Sequence, residues 1–71
     1  IVIDLNGPQG NAYVLLSSAE KLAKNLGLNA DSILDEMKED GYEHLVRTFE
    51  KHFGSYITLK MSEELKEEIF N

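Results

Sequence analysis

The chain reads as a small α+β domain, mainly helical, in the order β-α-α-α-β-α, with a two-stranded sheet packed on the helices. Three observations predict this. Short runs of alternating or β-branched residues lie near the two ends, apolar residues recur at spacings of three and four between them, and a glycine follows each recurring stretch.

Ile1, Ile3 and Leu5 alternate with Val2 and Asp4, the period-two pattern of a strand that buries one face. "NGPQGN" then stops it, because Pro8 cannot donate to a ladder and Gly7 and Gly10 suit a tight turn. Asn11 is placed to cap a helix over 12–26, whose Ala12, Leu15, Leu16, Ala19, Leu22, Ala23 and Leu26 form one apolar stripe closed by Gly27. Asn29 and Asp31 are alternative caps for a second helix that buries Ile33, Leu34 and Met37 and ends near Asp40. Gly41 breaks it. Tyr42, Leu45, Val46, Phe49 and Phe53 mark a third helix closed by Gly54. "SYITLKM" predicts the second strand, with Tyr56, Thr58 and Lys60 on one face and Ile57, Leu59 and Met61 on the other. Ser62 can cap a last short helix with Glu63 and Glu64 in its first turn and Leu65 and Ile69 on its apolar side. Whether the strands run parallel or antiparallel is not written in this pattern, but a two-stranded sheet has two edges, each able to pair with another chain.

Seventy-one residues make one domain, 1–71, since a second core could not be built from so few. At 42% hydrophobic and 28% charged residues, the composition is that of a chain that folds. The absence of cysteine excludes disulfides, thiolate metal sites and thiol nucleophiles, and fits a reducing cytoplasm. No run nears the roughly 18 apolar residues of a membrane span, and no basic, then apolar leader opens the chain. The expectation is a cytoplasmic protein with no membrane contact. Thirteen acids against seven bases give a net charge of −6, which disfavours nucleic acid as a partner.

The stretches "IDLNGPQGNAYVLL", "LGLNADSILDEM" and "YEHLVRTFEKHFGSYITL" resemble a family of small uncharacterised bacteriophage and bacterial proteins, over nearly the whole chain from Ile1 to about Leu59. The resemblance carries over no activity, ligand or site residue. It implies a setting, the cytoplasm of a phage-infected bacterium, where small acidic proteins act by binding a host or phage protein.

Several constellations bear residue types that chemistry could use. The opening loop lacks the lysine of a phosphate loop, and Pro8 removes a donor, so it reads as a turn and cap. His44, Arg47, Thr48 and Lys51 would face DNA if residues 32–53 formed a helix-turn-helix, the rival reading of the chain as a nucleic-acid module; Asp35, Glu36, Glu39 and Asp40 oppose it with the wrong sign. His44 and His52 stand about 12 Å apart on a helix at 1.5 Å per residue, too far for one metal. Ser17 and Ser18 have no histidine nearby and no nucleophile elbow. No catalytic, cofactor-binding or metal-binding residue is expected, and the chain reads as a non-enzyme. The candidate protein-binding residues are the acidic group Asp35, Glu36, Glu39, Asp40 and Glu43 with the aromatics Tyr42, Tyr56 and Phe70. Glu63, Glu64, Glu67 and Glu68 form a second acidic cluster. For both clusters a solvated face that keeps the chain soluble is the commonest meaning, and docking of a basic partner, or imitation of nucleic-acid charge, is the alternative. The expected partner is a protein, with a homodimer through a strand edge as the further alternative.

Overall fold

A computed structural model describes residues 2–70. The elements are β1 (Val2–Asp4), α1 (Ala12–Leu26), α2 (Ala30–Met37), α3 (Gly41–Phe53), β2 (Thr58–Lys60) and α4 (Glu63–Phe70), with a short 3-10 turn at Pro8–Gly10 after β1. The predicted order and class are those observed; Ile1, assigned to the first strand, lies outside the described residues.

The caps form where the polar side chains allowed them. Asn11 Oδ1 accepts from the Val14 amide at 2.9 Å, and Asn29 Oδ1 accepts from that of Ser32 at 3.1 Å. Asn29 is therefore the cap of α2, and Asp31 sits in its first turn, where its charge suits the helix dipole. Ser62 Oγ accepts from the Leu65 amide at 3.2 Å and starts α4 as expected. Gly27 ends α1 in the left-handed region at φ 74°.

The end of α2 and the extent of β2 are corrected, and the conformations at Gly41 and Gly54 add detail to the expected breaks. Helix α2 stops at Met37, not near Asp40, because residues 38–40 carry the chain round to α3, and Asp40 is already non-helical at φ −157°. Gly41 does more than break a helix: it opens α3 at φ 66°. Gly54 closes α3 at φ −59°, so no left-handed residue is used there. The second strand is shorter than its composition suggests, because the Phe53 carbonyl accepts from both Tyr56 and Ile57 amides at 2.9 Å and winds 54–57 into a turn. The predicted alternation of faces survives: Ile57 is buried, Leu59 and Met61 are half-buried, and Tyr56, Thr58 and Lys60 are exposed.

The strands pair in parallel, Val2 with Thr58, Ile3 with Leu59 and Asp4 with Lys60. Leu5 donates to the Lys60 carbonyl at 2.8 Å, extending the ladder one bond beyond β1. A parallel pair needs a crossover, and α1, α2 and α3 supply it. Helix α3 is the hub, packing against α1, α2 and α4 and burying Leu45, Val46, Phe49 and Phe53. The Phe49 and Phe53 rings meet at 5.3 Å and 57°, a tilted geometry favoured by aromatic quadrupoles. Leu15, Ala19, Ala23, Ile33, Met37, Ile57 and Ile69 close the same core with Ile3 and Leu5.

The loop between β1 and α1 turns the chain and spends its own donors in doing so. Gly7 donates to the Asp4 carbonyl at 3.1 Å, Gly10 to that of Gly7 at 3.0 Å, and Asn6 to Asp4 Oδ1 at 2.9 Å. Those amides cannot converge on an anion. At Gly10 the backbone of Leu5 comes so close that a Cβ would lie 2.3 Å from its carbonyl oxygen, which only glycine tolerates.

Candidate protein-binding surface

The acidic group divides in two. Asp35, Glu39, Asp40 and Glu43 are exposed at the α2–α3 turn and enter no ion pair among the described residues. Glu36, in their midst, is half-buried and engaged within the chain. Its Oε1 meets His52 Nε2 at 2.9 Å and its Oε2 accepts from Lys51 Nζ at 3.0 Å, so one carboxylate clamps α2 to the far end of α3. The hydrogen bond from His52, then that from Lys51, hold its pKa below the ordinary value.

The same contacts occupy most of the face that a helix-turn-helix would offer. His44 Nε2 lies 2.8 Å from the Glu36 carbonyl at the end of α2, and Thr48 is buried with its hydroxyl 3.4 Å from that ring. Arg47 Nη1 donates to the Ile69 carbonyl at 2.7 Å and so satisfies the end of α4. Arg47, Lys51 and both histidines are thus engaged in holding α2, α3 and α4 together. The sequence reading missed this clamp because its members are 15 and 16 positions apart; the adjacent Lys51–His52 pair one helix beyond a mid-helix glutamate was its trace.

The three aromatics also part company. Tyr42 is corrected as a free anchor: it is half-buried, its hydroxyl donates to the Gly10 carbonyl, and burial lifts its phenol pKa above the ordinary value. It fastens the start of α3 to the opening loop. Tyr56 and Phe70 stay accessible, at 56% and 40% exposure.

Phe70 belongs to a feature that sequence alone could not draw. Successive residues of a strand aim their amides at opposite edges, and the Leu5 to Lys60 bond turns the Lys60 backbone toward β1. The backbone of Leu59 therefore faces away, as do the Ile57 carbonyl and the Met61 amide, and none of these is hydrogen-bonded among the described residues. A solvent-open groove of about 730 Å³ runs along this edge of β2. Leu59, Met61 and Gly54 line it, α4 contributes Phe70 and Lys66, and it turns onto the outer sheet face at Val2, which is 58% exposed. The outer edge of β1 is less open. The Asp4 carbonyl is already taken by Gly7, and a smaller cleft of about 350 Å³ there is walled by Val14, Ser18, Lys21 and Leu22 of α1.

Compared with known proteins, the chain matches no family model, no curated protein and no solved structure.

Proposed function

We propose that this chain is a small protein-binding accessory factor of the phage type, which modulates a host or phage protein by gripping it rather than by transforming a substrate. The observation that carries this reading is the free edge of β2. Its amide and carbonyl groups, unpaired among the described residues, border a groove that offers Leu59, Met61 and Phe70, the combination by which an extended segment is added to a sheet. Backbone pairing supplies attraction, and the alternate side chains of the incoming segment select it. The ionisable cluster best placed for chemistry, Glu36 with Lys51 and His52, is engaged with itself between two helices. A second surface is favoured by one observation: Asp35, Glu39, Asp40 and Glu43 form an exposed acidic turn that would attract a basic protein over a long range.

Affinity capture from bacterial lysate with two variants separates the surfaces. Met61→Pro removes an outward-facing amide at the sheet edge without touching a bond to β1. Charge reversal at Glu39, Asp40 and Glu43 inverts the acidic turn. Loss of specifically bound proteins in the Met61→Pro sample, with retention by the charge-reversed chain, is the expected result. Retention by both variants would defeat the proposal at both surfaces.

A further inference from the structure

We infer that the groove along β2 is built to take a second copy of this chain, its β2 antiparallel to the first about a twofold axis at Leu59; this rests on the reading of that edge as a strand-adding site. Three observations support this occupant.

The first is register. Leu59 presents both its amide and its carbonyl at the free edge, so two Leu59 residues facing one another across a twofold axis exchange two hydrogen bonds. The next outward groups on either side are the Ile57 carbonyl and the Met61 amide. The Ile57 amide is already given to Phe53 at 2.9 Å, and this arrangement does not require it. Each Met61 amide then reaches the Ile57 carbonyl of the other copy. Donor meets acceptor throughout, and Ile57, Leu59 and Met61 fall on one face as an apolar row.

The second is charge. A chain of net charge −6 repels its own copy over most of its surface. The charged side chains lining the groove are Glu50, Lys60, Glu63 and Lys66, so its own formal charge is zero and the entire excess lies elsewhere. Here two copies can approach without like-charge repulsion, and each offers both signs to the other. A basic partner would instead be drawn to the acidic α2–α3 turn.

The third is the distribution of exposed apolar side chains. Of the six large apolar side chains that are exposed among the described residues, Val2 and Phe70 line the groove and Tyr56 lies in the turn that leads into β2, while Tyr13, Leu26 and Leu28 lie on or just after α1. Parallel sheets are normally covered on both faces, and the outer face of this one is bare at Val2 and Thr58. A second copy adds strands at the edge and brings its own Phe70 toward that face. The edge offers only Ile57, Leu59 and Met61 of each copy for pairing, so the expected association is weaker than that of a standard interface, which takes about 800 Å² from each partner.

The test is sedimentation equilibrium of the full chain from about 10 μM to about 1 mM, with two charge-swapped variants. K60E/K66E fills the groove with carboxylates, and E50K/E63K fills it with ammonium groups. The wild-type chain is expected to pass from monomer to dimer across this range. Each variant alone should associate at least about tenfold more weakly, and an equimolar mixture of the two should dimerise again. Circular dichroism establishes that each variant is folded. Amide hydrogen exchange of the wild type, with protection of Leu59 and Met61 rising with concentration, gives the same answer without any substitution. A wild-type monomer at every concentration overturns the second copy, as does a dimer that neither charge swap weakens. In the first case, loss of lysate capture on Met61→Pro would leave the strand-adding edge standing with a foreign occupant, so the two failures are distinguishable.

Discussion

Glu36 shows at the residue scale how a charge that looks available becomes structural. Its carboxylate accepts from His52 and Lys51, which holds its folded pKa below the unfolded value of 4.5. A depressed carboxyl pKa contributes stability above the unfolded value, and that contribution is lost as the pH falls through the folded one. Glu36→Gln should therefore be less stable than the wild type at neutral pH, and the gap should close as the pH drops below 4.5. Urea denaturation from pH 7 to about pH 3 measures this; a gap that stays constant would separate the stability of α2 and α3 from this titration. Individual residues were the least legible level of the sequence. Asp35, Glu39, Asp40 and Glu43 stand exposed as their polarity suggests, but Glu36 and Tyr42 are diverted by partners far along the chain, and side-chain type carries no record of distant partners.

At the scale of elements, local chemistry decided nearly everything that was predicted correctly. Each helix bears its own apolar period, and α1, α2 and α4 their own side-chain cap, which α3 lacks; both signals depend on residues only three or four positions apart. The choice between Asn29 and Asp31 is a measurable case. Asn29→Ala should cost about 1 kcal/mol of stability, the usual worth of a lost cap, whereas Asp31→Ala should cost less, since it forfeits only a favourable charge in the first turn. Thermal or urea melts of the two variants rank them. The strands were harder to read. The β-branched run at 55–61 overstates β2, because α3 keeps hold of the next residues through the Phe53 carbonyl, and strand propensity does not register a helix that continues as a turn. The parallel direction was equally hidden, since it follows from how three helices fill the crossover and not from either strand.

For the whole molecule, one core serves every element, and α3 supplies its centre. A domain of this length has roughly 3–5 kcal/mol of net stability. Phe49 is fully buried against Phe53, so Phe49→Ala should cost about 3–5 kcal/mol, which is comparable to that whole margin and brings the thermal midpoint down steeply toward 25 °C. The midpoint of the thermal transition would be the readout. Among the described residues no helix is long and apolar enough to cross a membrane. The candidate surfaces lie at two separate places, the acidic α2–α3 turn and the groove beside β2 and α4, so a basic protein and a pairing strand could be held at once.

Strands that pair across Val2 and Thr58 lie at almost opposite ends of the chain, with three helices between them. Contacts so distant must wait for a long loop to close, whereas the helices form from neighbours in microseconds or less. From these separations the ribbon is expected to assemble last during folding and to open first, with the amides of the β1–β2 ladder exchanging ahead of those of α3. Until the ladder forms, the outward amide and carbonyl of Leu59 are not held in one line with the Ile57 carbonyl and the Met61 amide, so the edge is a template only in the folded chain.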